Sequence, residues 1–283
     1  MNGDTRARVP PAPMAQEGSV RSVKAPGSVF TCLEQGEGVP LVLLHGIGSG
    51  ARSWRQQVAS LSGRHRVIAW DAPGYGGSTA LPMAQPDAGD YSDALVRFLS
   101  VMNVDRMHLV GHSLGAVMAA RFAAVHPQRV LTLTLASIAG GHARLAQAER
   151  ARLRDARLVD LATLGVEGMA AKRGPRLLSA QASDAQRAAV METMSLLRTD
   201  GFTQAVHMLS NADTGVDVAR LPAGMAVQIV YGDADVVTPP ASIEAIAAAR
   251  PGVPVHVVPG AGHALYIEQA ETFDTLLLRF IGN

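Results

Sequence analysis

Ser113 lies in Gly111-His112-Ser113-Leu114-Gly115, after the apolar run Met107-His108-Leu109-Val110 and before an Ala-rich segment over 116–125. A G-x-S-x-G where a strand turns into a helix lifts the serine out of the fold. It also aims the helix N-terminus at developing negative charge. A serine hydroxyl is a poor nucleophile at its own pKa and needs such help together with a neighbouring base. Glycines two before and two after the serine let the backbones pack closely around a strained turn. Two later motifs hold a carboxylate and a histidine. Gly232-Asp233-Ala234-Asp235 follows the run Ala226-Val227-Gln228-Ile229-Val230-Tyr231. His263 closes Pro259-Gly260-Ala261-Gly262-His263 after Val255-His256-Val257-Val258. The order along the chain is therefore serine, acid, histidine.

Two earlier motifs complete the set. Pro40-Leu41-Val42-Leu43-Leu44 is a continuous apolar run leading into His45-Gly46-Ile47-Gly48-Ser49-Gly50, a loop suited to bringing backbone N–H groups close to a ligand. Arg66-Val67-Ile68-Ala69-Trp70 is closed by Asp71-Ala72-Pro73-Gly74-Tyr75-Gly76-Gly77-Ser78, whose Pro and Gly content enforces a turn. Asp71 reads as part of that turn rather than as a catalytic acid.

The elements that must position these residues alternate. Strands are expected over 20–24, 28–34, 40–44, 66–70, 106–110, 130–136, 226–231 and 255–258, the first two as a hairpin turned at Ala25-Pro26-Gly27. Helices are expected over 53–61, 91–102, 113–126, 239–249 and 268–280, with Asp90 as the N-cap of the second and Pro239 and Pro240 in the first turn of the fourth. Such alternation implies an α/β fold with a parallel sheet covered on both faces. Between residues 137 and 221 the strand rhythm stops. Helical patterns over 143–164, 166–173, 184–198 and 201–209 read as an inserted cap that shapes the pocket and excludes water.

The chain resembles the α/β-hydrolase superfamily, specifically the capped serine hydrolases that include carboxylesterases, meta-cleavage-product hydrolases and enol-lactonases. The resemblance spans residues 20–283 and rests on the motifs at Ser113, His45–Gly50, Asp71–Ser78, Asp235 and His263. It implies a mostly parallel eight-stranded sheet with an inserted helical cap. The expected organisation is a disordered tail over 1–19, a core over 20–136 and 222–283, and a cap over 137–221. Carried over by position, Ser113 is the nucleophile, His263 the general base and acid, and Asp235 the carboxylate that orients the imidazole. The backbone N–H groups of Ile47 and Leu114 form the oxyanion hole, which matters because charge reaches the carbonyl oxygen only in the transition state.

Competing assignments narrow the choice. Asp233 could replace Asp235, but the later aspartate matches the family's acid, leaving Asp233 as a turn residue. Some relatives carry the acid after the strand that follows the elbow helix; here that position reads Leu135-Ala136-Ser137-Ile138-Ala139, with no carboxylate. His256 falls inside an alternating strand and reads as a packed side chain. His45 is expected to order the oxyanion loop. His45, Gly46, His112, His142 and Arg173 are the candidate substrate-lining residues, with His207 a weaker one. The arginines Arg144, Arg150, Arg152, Arg154 and Arg157 recur at helical spacing with Glu149 and Asp155 beside them, the pattern of a solvated face. Lys172, Arg173 and Arg176 flank Gly174-Pro175, a break that could turn a side chain toward the cleft and let it clamp a carboxylate.

Composition fits one globular enzyme of 283 residues. A net charge of +1 offers no broad field for nucleic acid or an anionic membrane. The single cysteine, Cys32, excludes an intramolecular disulfide and sits in a strand-like run. The N-terminus lacks the apolar core of a signal peptide, and no segment has the apolar length of a membrane span. A cytoplasmic protein without metal or organic cofactor is expected, acting on a small acyl or ester substrate, with a homodimer as the one assembly considered. Low aromatic content suggests an aliphatic-lined pocket.

The leading function is hydrolysis of a carboxylic ester or related acyl compound through an acyl-serine intermediate. Serine at the elbow argues against the dehalogenases and epoxide hydrolases of the same fold, whose nucleophile is aspartate. Carbon–carbon bond hydrolysis is the second reading, from the glycine-rich loop at 45–50, although His112-Ser113-Leu114 departs from the Asn-Ser-Met usual in that group. A hydrolase-like ligand receptor is the third.

Overall fold

The computed structural model describes residues 18–282. The expected tail lies outside the described residues as far as residue 17, and Ser19 already opens the first strand. Strands β1 (Ser19–Ala25) and β2 (Ser28–Gln35) form the hairpin, with Ala25 paired to Ser28 and Gly27 at φ 72° in the turn. They are followed by β3 (Pro40–Leu44), β4 (Arg66–Trp70), β5 (Met107–His112), β6 (Val130–Ala136), β7 (Ala226–Gly232) and β8 (Val255–Val258). The eight strands form one sheet in the order β1-β2-β4-β3-β5-β6-β7-β8. β1, β2 and β4 pair antiparallel, and β4 through β8 pair parallel. All parallel strands thus end at one edge, where loops can converge on a ligand. Strand β5 runs past the expected Val110 because Gly111 pairs with both Leu44 and Leu135, and His112 with Ala136. That ladder carries the chain straight to Ser113.

Alternation along each strand divides the core. Leu41 and Leu43 of β3 join Trp54, Val58 and Phe273 on one face, whereas Val42 and Leu44 join Phe98, Val117 and Phe122 on the other. The first face is covered by α1 (Arg55–Leu61) and later by α9 (Leu265–Glu268) and α10 (Ala270–Ile281). The second is covered by α2 (Ala88–Val101), α3 (Leu114–Val125) and α8 (Pro240–Ala247). Burial on both faces explains why these strands read as unbroken apolar runs. The N-cap of α2 is Asp87, not the expected Asp90. Asp87 accepts from the N–H groups of Gly89 and Asp90 while Asp90 reaches back to the N–H of Asp87, so the later aspartate is the other half of a capping box.

Between β6 and β7 the chain is helical: α4 (Gln147–Arg173), a 3-10 turn over Gly174–Leu177, α5 (Asp184–Ser195), α6 (Thr199–Asn211) and α7 (Thr214–Arg220). The expected boundary between helices at 164 and 166 is a break inside α4, where Gly165 takes φ 65° and ψ −176°. Helix α5 packs on the 3-10 turn Ala51–Trp54 that follows the loop over residues 45–50, and α6 packs on α4, α2 and α3. Helix α7 was not anticipated from the pattern. It lies against α3 and α8, with the buried Asp217 carboxylate 3.2 Å from the Arg121 guanidinium. Among the described residues no helix is long and apolar enough to cross a membrane.

Candidate active site

Ser113 joins β5 to α3 with φ 54° and ψ −113°, a conformation costing a non-glycine residue about 1–3 kcal/mol. The surroundings hold it there. Its N–H donates to the Ala136 carbonyl at 2.9 Å, and its own carbonyl accepts from Ala116 at 3.0 Å. The glycines of the motif are required by space: a Cβ on Gly111 would fall 2.3 Å from the Gly115 carbonyl oxygen, and one on Gly115 would fall 2.2 Å from that of Leu44. The elbow therefore exists only where two backbones can touch.

Asp235 follows β7, and His263 follows β8. The Nδ1 of His263 lies 2.8 Å from Oδ2 of Asp235, and both side chains are buried. Asp235 also accepts from the N–H of Val237 at 2.8 Å, the N–H of Thr238 at 2.9 Å and the Thr238 hydroxyl at 2.8 Å. Burial works against its charge, but the His263 bond and the Thr238 donors prevail and hold the carboxyl at about 2. An ionised carboxylate can only accept, so Nδ1 of His263 carries a hydrogen, and in the neutral ring the free lone pair is on Nε2. Asp233, in contrast, accepts from the N–H of Gly260 at 2.7 Å on the surface, which is a loop contact.

The loop over residues 45–50 is braced from behind. His45 is wholly buried, packs at a tilt of 59° against Tyr75 with ring centroids 4.6 Å apart, and accepts at Nε2 from the N–H of Ala72 at 3.1 Å. Its Nδ1 must then carry the hydrogen and donate to the Gly46 carbonyl at 2.8 Å. Burial lowers the His45 pKa and keeps the ring neutral. The Tyr75 hydroxyl donates to the Ile47 carbonyl at 3.0 Å. Asp71 binds the Thr31 hydroxyl at 2.6 Å and the Ala51 N–H at 2.8 Å, the structural part expected of it. The N–H groups of Ile47 and Leu114 donate to no acceptor among the described residues.

His112 sits between Trp54, Tyr266 and His263, and its Nε2 lies 2.8 Å from the His263 carbonyl oxygen. Since a carbonyl only accepts, Nε2 donates and Nδ1, which is buried without a partner, is unprotonated. Burial, with the neighbouring His263 adding to it, pushes His112 down to about 3.

A cavity of about 60 Å³ brings Gly46, Ile47, His112, Ser113 and His263 to one surface. Its other walls are mostly aliphatic, with Leu177, Val190, Val237 and Ile267 beside Tyr266. Ser113 and His263 face this space together, with no hydrogen bond joining their side chains among the described residues. Catalytic contacts of this kind commonly tighten only when substrate is bound. Of the other candidate lining residues, His45 stands behind the loop. His142 and His207 line neither this cavity nor its neighbour, and the His142 N–H is engaged by the Leu209 carbonyl at 3.1 Å. Arg173 lines a second, adjoining cavity of about 140 Å³. Thr238 and the bracing role of Tyr75 escape a reading by motif. The only signal for Thr238 is its place three residues beyond Asp235, where an aspartate-centred turn presents donors back to the carboxylate. Cys32 is buried and its thiol pushed up to about 12 by burial, so it is no second nucleophile. Among the described residues no group of three or more His, Cys, Asp or Glu side chains could hold a metal ion.

The sequence profile of the alpha/beta hydrolase fold matches residues 39–270, and the chain belongs to that family. It is 29% identical over 88% of its length to a dihydrolipoyllysine-residue acetyltransferase component of the acetoin cleaving system of Cupriavidus necator, and spans 65% of that protein. It is 34% identical to an (E)-2-((N-methylformamido)methylene)succinate hydrolase of Acinetobacter baylyi over 47% of this chain and 50% of the relative. In structure it is similar to the enol-lactonase of Burkholderia xenovorans LB400, with a TM-score of 0.82 at 21% identity over 93% of this chain and all of the other. A thermophilic esterase of Thermogutta terrifontis superposes with a TM-score of 0.81 at 23% identity, over 94% and 100% of the two chains. These likenesses at low identity establish the fold.

Proposed function

We propose that this α/β hydrolase cleaves a carboxylic ester or related acyl compound through an acyl-serine intermediate on Ser113. The observation that carries the reading is the 2.8 Å contact between His263 Nδ1 and a fully donor-saturated Asp235, which leaves Nε2 as the base on the wall shared with Ser113. In the first step Ser113 Oγ attacks the carbonyl carbon as Nε2 takes its proton. The carbonyl oxygen gains charge and is met by the N–H groups of Ile47 and Leu114, the latter at the positive end of α3. Nε2 then protonates the leaving oxygen, and the C–O bond breaks to give the acyl-serine. Water enters, gives its proton to Nε2, attacks the acyl carbon, and the serine leaves with that proton. Asp235 stays ionised throughout and stabilises the imidazolium. The helices over the cavity would act as the cap that keeps other water away.

The test is hydrolysis of a series of phenyl esters of increasing acyl length by the wild type and by Ser113→Ala. Turnover that falls about 10⁴-fold or more in the variant supports the acyl-serine route. Equal turnover by both proteins would overturn it. Turnover of vinylogous diketones with none of esters would move the reading to carbon–carbon bond hydrolysis.

A further inference from the structure

The adjoining cavity of about 140 Å³ shares Ile47, Gly48, Leu177 and Val237 with the Ser113 cavity, so the two are neighbouring compartments bordered by the same residues. Three guanidinium groups line it: Arg157 and Arg173 from α4 and Arg176 from the turn that follows. Asp160 is the carboxylate in their midst, and it is already held by Lys172 at 2.7 Å and by an Nη of Arg173. Arg157 is half-buried and has no ion pair among the described residues. Its one hydrogen bond is a long one, 3.4 Å, to the Leu153 carbonyl. Arg176 has no ion pair there either, and the Nε of Arg173 is buried with no partner. Both neighbouring guanidiniums repel the Arg157 charge in a site whose burial already opposes it. One carboxylate, Asp160, thus stands against Lys172 and three guanidiniums, and the excess positive charge on the half-buried Arg157 and Arg173 is unfavourable unless a further anion balances it.

We propose that this compartment binds a carboxylate carried by the substrate itself, with Arg157 as the principal contact and Arg173 and Arg176 beside it. The proposal rests on the acyl-serine reading for the place of the scissile carbonyl, which would lie at Ser113 while the remote carboxylate lies in the adjoining compartment beyond Ile47, Gly48, Leu177 and Val237. The planar fork of a guanidinium matches a carboxylate in two parallel hydrogen bonds. Met194 and Phe202 line the same space, so the chain between carbonyl and carboxylate crosses apolar surface. The substrate class is then an acid ester, lactone or amide with a second carboxyl group rather than a neutral ester.

Two measurements test this, one independent of catalysis. In the first, kcat/KM is compared for phenyl hydrogen succinate, glutarate and adipate and for the neutral phenyl esters of matching length. The expected result is a preference of about tenfold or more for one of the acid esters, lost in Arg157→Gln and weakened in Arg173→Gln. Arg97→Gln on the exposed face of α2, the same change in net charge, should keep the preference. The second measurement titrates succinate, glutarate and adipate into Ser113→Ala by calorimetry. A dicarboxylate should bind, weaken as salt is raised, and lose about tenfold or more in affinity when Arg157→Gln is added. Circular dichroism of each variant and its residual neutral-ester turnover report the fold. If no ester needs Ser113 but the dicarboxylate still binds through Arg157, the acyl-serine reading fails and the carboxylate site stands. No preference for acid esters together with no Arg157-dependent binding would overturn the site, as would tighter binding of inorganic phosphate than of any dicarboxylate.

Discussion

The Nδ1 of His45 donates to the carbonyl oxygen of Gly46 at 2.8 Å, and that carbonyl shares its peptide plane with the N–H of Ile47. A bond to one end of a peptide group sets the direction of the other end and polarises it. The buried ring of His45 therefore aims the proposed oxyanion donor without touching the cavity. His45→Phe keeps a ring against Tyr75 and removes both hydrogen bonds, that to the Gly46 carbonyl and that from the Ala72 N–H. We expect kcat to fall about 10- to 100-fold with KM changed less than about threefold, because a misaimed donor is missed chiefly in the transition state. Steady-state kinetics on the best ester would check this, and a loss confined to KM would argue against it.

His112 connects the elbow to the histidine loop through its bond to the His263 carbonyl. His112→Phe fills the aromatic space beside Trp54 and Tyr266 but leaves that buried carbonyl unpaired, at a cost of about 1–3 kcal/mol. His112→Gln places an amide N–H near the position of Nε2 and should recover most of the loss. The ordering wild type, Gln, Phe in both kcat and urea midpoint is the expected outcome.

The same residue makes the protein acid-sensitive in a definite window. His112 titrates at about 3 when folded and near its ordinary 6.5 when unfolded, so between these values the unfolded chain takes up a proton that the folded chain refuses. Stability is full above pH 6.5 and declines as pH falls toward 3, by at most about 1.4 kcal/mol per unit from this group. His45, also lowered by burial, acts in the same direction. Asp235 extends the decline from its ordinary 3.8 down to about 2, because the folded carboxylate stays ionised where the unfolded one is protonated. Urea midpoints measured from pH 7.5 to 4.5 should fall, and His112→Gln should flatten the curve. A midpoint independent of pH over that range would contradict the burial of neutral histidine.

Asp235→Asn and Asp233→Asn should differ sharply. The N–H groups of Val237 and Thr238 both point at Oδ1 of Asp235, so an asparagine there keeps its oxygen toward them and turns its NH₂ to His263. Facing a donor, Nδ1 must give up its hydrogen, and Nε2 becomes protonated and useless as a base. A loss of about 10⁴-fold in kcat is expected. At Asp233 an amide oxygen can accept from Gly260 as the carboxylate did, and turnover should stay within about twofold. Comparable losses in both variants would reassign the acid.

Much of this arrangement was legible because its signals are local. Unbroken apolar runs marked the strands, and Ser113, Asp235 and His263 each lie in the short turn that follows such a run. The hairpin turn at Pro26-Gly27 was equally readable. What the pattern could not supply depends on tertiary packing. Asp87 and Asp90 both suit a cap, and only the reciprocal bonds separate their parts. Helix α7 is too short for a clear period and is held by the Arg121–Asp217 pair across to α3. Arg157 shares its helical spacing with Arg152 and Arg154, yet those two meet Glu149 and Asp155 on the outer face while Arg157 turns inward. His142, placed by sequence near the cleft, has its backbone bound to Leu209 and lines neither cavity.

Gly115→Ala tests the elbow itself. The new Cβ would stand 2.2 Å from the Leu44 carbonyl oxygen and 2.7 Å from that of His45, both backbone atoms, so no side-chain rotation can relieve it. Either α3 must withdraw from the sheet or β3 must shift, and β3 is held on both sides by β4 and β5. A cost of about 3 kcal/mol or more follows, equivalent to a urea midpoint lower by about 1–3 M. Withdrawal of α3 would also carry the Leu114 N–H away from Ile47, so any folded fraction should turn over ester more slowly. A variant with wild-type midpoint and wild-type kcat would show that the start of α3 and the Leu44–His45 backbone are not in contact as described.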